Sequence, residues 1–92
     1  MIFLIRVFTY LNCTDCIKHL KTLRDYCART PAGLEIIDID KEENIQLLFE
    51  HNLSAIPHTI CYNIHGEIMH SFGGVKTAEE FDSIVYYGKH SQ

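Results

Sequence analysis

The chain has no tryptophan, only two prolines and no excess of positive charge. Eight Lys and Arg against twelve Asp and Glu leave a formal net charge of -4. That balance supplies no basic field for nucleic acid or for an anionic membrane. Long apolar runs are lacking as well. The stretch from Ile2 to Ile5 is broken by Arg6 and falls far short of the ~20 residues that cross a bilayer. It also lacks a leading basic region and a small-residue cleavage site, so it reads as a buried first strand, and the protein as cytoplasmic with no membrane partner. No repeat, linker or low-complexity segment breaks the 92 residues. Such a length holds one domain around a single core. The expected domain covers residues 1–88, with 89–92 as a disordered tail.

Cysteine, by contrast, is well represented. Four in so short a chain would suit a secreted disulfide framework, but nothing else points to export. In a reducing cytosol a Cys-x-x-Cys is redox-active or metal-binding. Cys13-Thr14-Asp15-Cys16 stands where a β-type run gives way to a helical pattern. A sulfur at a helix start lies beside unsatisfied backbone N–H groups and the positive end of the helix dipole. The thiolate is favoured there, and the thiolate is the nucleophile. A second sulfur one turn further on is placed to attack a mixed disulfide. Cys13 is therefore expected at an exposed helix start. Asp15 suits the dipole of the first turn but opposes a thiolate beside it. Cys27 and Cys61 fall inside regular elements and read as small core hydrophobes, with a regulatory second disulfide as the sharper alternative.

The rest of the chain alternates in pattern. Ile2 to Phe8 reads as a strand covered on both faces. Asn12 to Thr14 can cap a helix whose apolar stripe is Cys16, Leu20, Leu23 and Cys27, widened by Ile17 and stopped by Pro31 and Gly33. Leu34 to Ile39 reads as a second strand. Asp40 with Glu43 reads as a capping box, opening a short helix to about His51 with Ile45, Leu48 and Phe49 buried and Asn52 left-handed at its end. His58 to Ile64 and Glu67 to Phe72 form a hairpin about His65-Gly66. Thr77 with Glu80 is another capping box, ahead of a helix burying Phe81, Ile84 and Val85, with Gly88 past its end. Pro57 marks the mouth of the third strand, because proline cannot donate to a ladder. His19, His51, His65, His70 and His90 read as solvated positions, and Tyr10 as packing at a strand end.

This βαβαββα order, with Cys13-Thr14-Asp15-Cys16 after the first strand and Leu53-Ser54-Ala55-Ile56-Pro57-His58-Thr59 about forty residues later, resembles the thioredoxin/glutaredoxin superfamily. Nearly the whole chain takes part. The resemblance implies an α/β, thioredoxin-like fold with a central mixed four-stranded sheet and helices on both faces. It implies Cys13 as attacking thiolate, Cys16 as resolving thiol, and a cis Ile56-Pro57 whose Ile56 backbone pairs with the substrate. The implied function is thiol–disulfide exchange on protein disulfides, by a monomer with no bound cofactor, recycled by a thioredoxin reductase or by glutathione. Larger thioredoxins carry a tryptophan and a buried acid where Asn12 and Val7 stand here. Thr14-Asp15 replaces the Gly-Pro of thioredoxins and the Pro-Tyr of glutaredoxins. His58 stands within reach of Cys13 on this reading: an imidazolium would favour the thiolate, and a neutral strand residue, the favoured alternative, would do little. A copper- or zinc-carrying module using the same dithiol is the rival function. Small copper-chaperone domains place a hairpin after the first helix and a methionine two residues before the first cysteine, where this chain has a helical pattern and Leu11.

Overall fold

A computed structural model describes residues 1–51, 53 and 55–88 of the chain. Asn52, His90 and the expected tail at 89–92 lie outside the described residues. The first apolar run forms β1 (Leu4–Thr9), followed by α1 (Thr14–Arg29) and β2 (Gly33–Asp38). A 3-10 turn at Glu42–Asn44 leads into α2 (Ile45–His51), and β3 (His58–Tyr62), β4 (Ile68–Gly73) and α3 (Ala78–Tyr87) complete the chain. The strands lie in the order β2-β1-β3-β4. β1 pairs parallel with β2 and antiparallel with β3, and β3 pairs antiparallel with β4. The expected mixed sheet is present. Its most apolar strand is interior, as a strand buried on two faces should be.

Side chains of β1 alternate between two cores. Ile5 and Val7 join Cys61, Phe72, Leu23, Tyr26, Phe81 and Ile84 on the side covered by α1 and α3. Phe8 joins Ile37 and Ile60 on the other side, where Leu47 of α2 packs. α3 forms as its sequence predicts: Thr77 Oγ1 accepts from the Glu80 amide, the Glu80 carboxylate accepts from the Thr77 amide, and Gly88 closes the helix in the left-handed region at φ 66°. The hairpin is wider than a two-residue turn. The Asn63 amide bonds the Glu67 carbonyl at 2.9 Å, Asn63 Oδ1 accepts from the His65 and Glu67 amides, and Gly66 takes φ 80°. This is a three-residue loop with its left-handed residue at glycine.

Three expectations fail. Asp40 and Glu43 make no capping box: the 3-10 turn starts at Lys41 without a side-chain cap, and the Asp40 carboxylate accepts from the Leu11 amide instead. The face of α2 that meets the sheet also differs from expectation. Leu47 packs inward and Leu48 is half-buried, while Ile45 is exposed and Phe49 is 82% exposed. On α1 the buried face is Cys16, His19, Leu23 and Tyr26, with Leu20 and Cys27 flanking and Ile17 in solvent. The stripe is rotated because His19 and Tyr26 have partners in the core.

These burial differences set unequal stability effects for two phenylalanines. Phe81→Ala should lower the urea-unfolding free energy by roughly 3–5 kcal/mol, whereas Phe49→Ala should change it by no more than about 0.5 kcal/mol. Equal losses for the two would contradict the placement of α2.

Candidate active site at the dithiol

The chain leaves β1 through a sharp turn. Asn12 has φ 61°, a conformation asparagine tolerates better than most residues. The preceding amide, Leu11 N–H, donates to Asp40 Oδ2 at 2.7 Å. The chain then enters α1 with Cys13 as N-cap, φ -84° and ψ 101°. Its sulfur takes the place of the usual capping oxygen, accepting from the Cys16 amide at 3.0 Å, while its carbonyl accepts from the Ile17 amide at 3.2 Å. Cys13 and Cys16 are joined as a disulfide, with their Cα atoms 5.1 Å apart. Cys13 is 4% exposed and Cys16 3%. The expected exposed helix start is thus corrected: Cys13 caps α1 through its sulfur, is bonded to Cys16, and is buried. Thr14 and Asp15 remain in solvent, with Asp15 in the first turn.

Pro57 stands at the same end of the sheet. Phe8, near the end of β1, pairs with His58, the first residue of β3, which in turn pairs with Gly73, the last of β4. The Ile56–Pro57 bond is cis. Pro57 is buried, Ile56 is half-buried, and the Pro57 carbonyl accepts from the Gly74 amide at 2.7 Å. His58 is buried, and its Nε2 lies 2.9 Å from Ser71 Oγ. Burial, and then the nearby His51, lower its pKa below the ordinary 6.5. It is therefore a neutral strand residue at neutral pH. Strand alternation puts it with Ile60 on the α2 face, opposite α1.

The residue the sequence hid is His19. It is 0% exposed, not solvated. Nε2 lies 2.7 Å from Thr59 Oγ1, and Nδ1 accepts from the Lys76 amide at 3.1 Å. Because Nδ1 is an acceptor, the ring proton sits on Nε2 and is donated to Thr59. The ring also meets Phe72 edge-on, with centroids 6.1 Å apart. Burial, the largest cause, pushes its pKa down to about 4; the Lys76 backbone hydrogen bond opposes the shift and the Lys76 charge adds to it. The available signal was spacing: Cys16, His19, Leu23 and Tyr26 form a helical stripe by themselves. Of the other histidines, His51 and His70 are half-buried, the former with its ring 5.5 Å from that of Phe8, and His65 is exposed. Cys27 is half-buried and Cys61 fully buried, both as free thiols. Burial raises both pKa values, that of Cys61 to about 12, which leaves them as unreactive thiols at neutral pH.

No protein-family model and no curated protein matches the chain. Solved structures do. An uncharacterized thioredoxin-like protein from Clostridium perfringens superposes with a TM-score of 0.77 over 91% of this chain and 68% of its own, at 17% identity. A Schistosoma mansoni thioredoxin pre-protein gives 0.74 over 94% and 79%, at 22% identity. A Plasmodium falciparum thioredoxin gives 0.73 over 91% and 70%, at 22% identity. The fold is thioredoxin-like.

His19 gives stability a defined pH dependence. Its folded pKa, about 4, lies below the ordinary 6.5, so the unfolded chain takes up the proton first as pH falls. The contribution is complete above pH ~6.5 and is lost on descent to about 4, amounting to about 3 kcal/mol at most. Urea-unfolding free energies at pH 7 and pH 4 should therefore fall less steeply in His19→Asn than in wild type. Equal falls would contradict the neutral, buried imidazole.

Proposed function

We propose that the protein is a thiol–disulfide oxidoreductase acting on protein disulfides. The observation that carries this is the Cys13–Cys16 disulfide capping α1 at the sheet end where the Ile56–Pro57 segment begins β3. A disulfide four residues long closes too short a loop to staple a fold and is suited to opening and closing. Once reduced, Cys13 is the group at the helix start, and the Cys16 N–H already points at its sulfur. That hydrogen bond and the dipole favour its thiolate.

The Cys13 thiolate attacks one sulfur of the substrate disulfide, forming a mixed disulfide and expelling the other substrate sulfur as a thiolate. The backbone of Ile56, ahead of Pro57, serves as the edge along which the substrate chain pairs. Cys16, deprotonated in turn, attacks the Cys13 sulfur, closes the internal disulfide and releases the second substrate thiolate. Two electrons pass to the substrate. A thioredoxin reductase, or two molecules of glutathione converted to their disulfide, restores the dithiol. Asp15, exposed in the first turn, supplies the opposing field: its carboxylate disfavours the thiolate and holds the protein toward the reducing end of its range.

Protein purified without oxygen should reduce insulin disulfides and titrate two fast thiols. Stoichiometric copper or zinc without reductase activity would instead establish the metal-carrying rival. Cys13→Ser should abolish exchange, and Cys16→Ser should accumulate a mixed disulfide visible by mass spectrometry. Trapping by Cys13→Ser would reverse the two roles. Asp15→Asn should speed alkylation of Cys13 at neutral pH and raise the reduction potential in a glutathione titration, because the reduced form gains stability. An unchanged potential would leave Asp15 a role in the helix alone.

A further inference from the structure

His19 lies one turn beyond Cys16 and makes no contact that the exchange chemistry uses. Both ring nitrogens are engaged, one by Thr59 and the other by the Lys76 amide, so it has no free lone pair with which to take a proton from either cysteine. Its partners are informative. Thr59 lies two residues after Pro57, and Lys76 two residues after Gly74, whose amide bonds the Pro57 carbonyl at 2.7 Å. Thr22, one turn further along α1, donates from Oγ1 to the Lys76 carbonyl at 3.0 Å. The contacts close a ring: α1 to β3 through Thr59, β3 to the loop after β4 through Pro57 and Gly74, and that loop back to α1 through Lys76.

We propose that His19 is a positioning residue, one turn below the dithiol, that fixes the Ile56–Pro57 edge and the Gly73–Lys76 loop relative to the helix bearing Cys13 and Cys16. This rests on the proposed exchange function and assigns the alignment of the substrate edge to a side chain outside the reacting atoms. A buried imidazole suits the task. It donates and accepts in one plane from a rigid ring, so two chain segments of distant sequence are held at one spacing. An apolar residue would fill the volume but leave the Thr59 hydroxyl and the Lys76 amide unpaired, at a desolvation penalty for each. The ring requires Nε2–H and bare Nδ1, the neutral form that burial enforces.

The test separates alignment from chemistry and from overall stability. Thr59→Val keeps the shape and removes one arm of the ring. His19→Asn retains an acceptor near Nδ1 for Lys76, His19→Gln retains a donor near Nε2 for Thr59, and His19→Leu retains neither. Pre-reduced protein is oxidised in single turnovers by insulin, which must lie along the edge, and by hydroxyethyl disulfide, which need not. Thr59→Val and His19→Leu should raise the half-saturating insulin concentration roughly tenfold or more. The hydroxyethyl disulfide rate should stay within about twofold, and Asn and Gln should each restore part of the loss. Amide exchange in Thr59→Val supplies a readout independent of activity. The Gly74 amide, which His19 does not touch, should exchange roughly tenfold faster. The Gly33 amide, bonded to the Phe3 carbonyl at 2.9 Å at the far end of the sheet, should not. Unchanged insulin saturation in Thr59→Val would overturn the proposal, as would equal slowing with both disulfides or equal acceleration at Gly74 and Gly33. A wild type inactive on every disulfide would overturn the proposed function instead, and exchange at Gly74 against Gly33 would then decide the role of His19 alone.

Discussion

The antiparallel register between β1 and β3, with Phe8 opposite His58, is the constraint on which the site depends. β1 runs toward Cys13 and β3 runs away from Pro57, so pairing the end of one with the start of the other brings helix start and proline segment to one end of the sheet. The same register decides sidedness. Thr59 faces α1 and receives His19, while His58 faces α2 and meets Ser71 on β4. A slip of one residue would exchange the two faces. His58 would then enter the α1 core, and His19 would lose its oxygen partner.

Burial and polarity are divided unusually around the dithiol. Val7, on the strand that leads to the dithiol, is fully buried and apolar. The buried polar group comes instead from the helix, as His19. An acid there would be charged or would compete for a proton. A neutral imidazole holds a fixed hydrogen-bond pattern and adds no charge beside the cysteines. The two remaining cysteines are kept out of exchange by burial, with pKa values displaced upward.

Element order was legible in the sequence because each signal was local. The apolar run of β1, the Thr77–Glu80 box and Gly88 report their structure within a few residues. The dithiol and the Ile-Pro pair were legible for the same reason. Three features were not. His19 is buried because of partners 40 and 57 residues away, and a polar residue on a helix gives no local sign of that. Asp40 had the spacing of a cap, but the parallel β1–β2 pair brought it to the Leu11 amide, a non-local competitor. The face of α2 is set by docking of Leu47 on Phe8, Ile37 and Ile60, partners distant in sequence, and that docking leaves Phe49 outside.

The central claim is that Cys13 and Cys16 form a reversible two-electron couple. The most direct measurement equilibrates the protein against glutathione buffers of graded poise, quenches with acid, alkylates and maps the modified cysteines by mass spectrometry. The account predicts a single two-electron transition in which Cys13 and Cys16 lose and regain labelling together, while Cys27 and Cys61 keep one labelling state throughout. A transition involving Cys27 or Cys61 in place of the pair, or no reversible transition at Cys13 and Cys16, would contradict it.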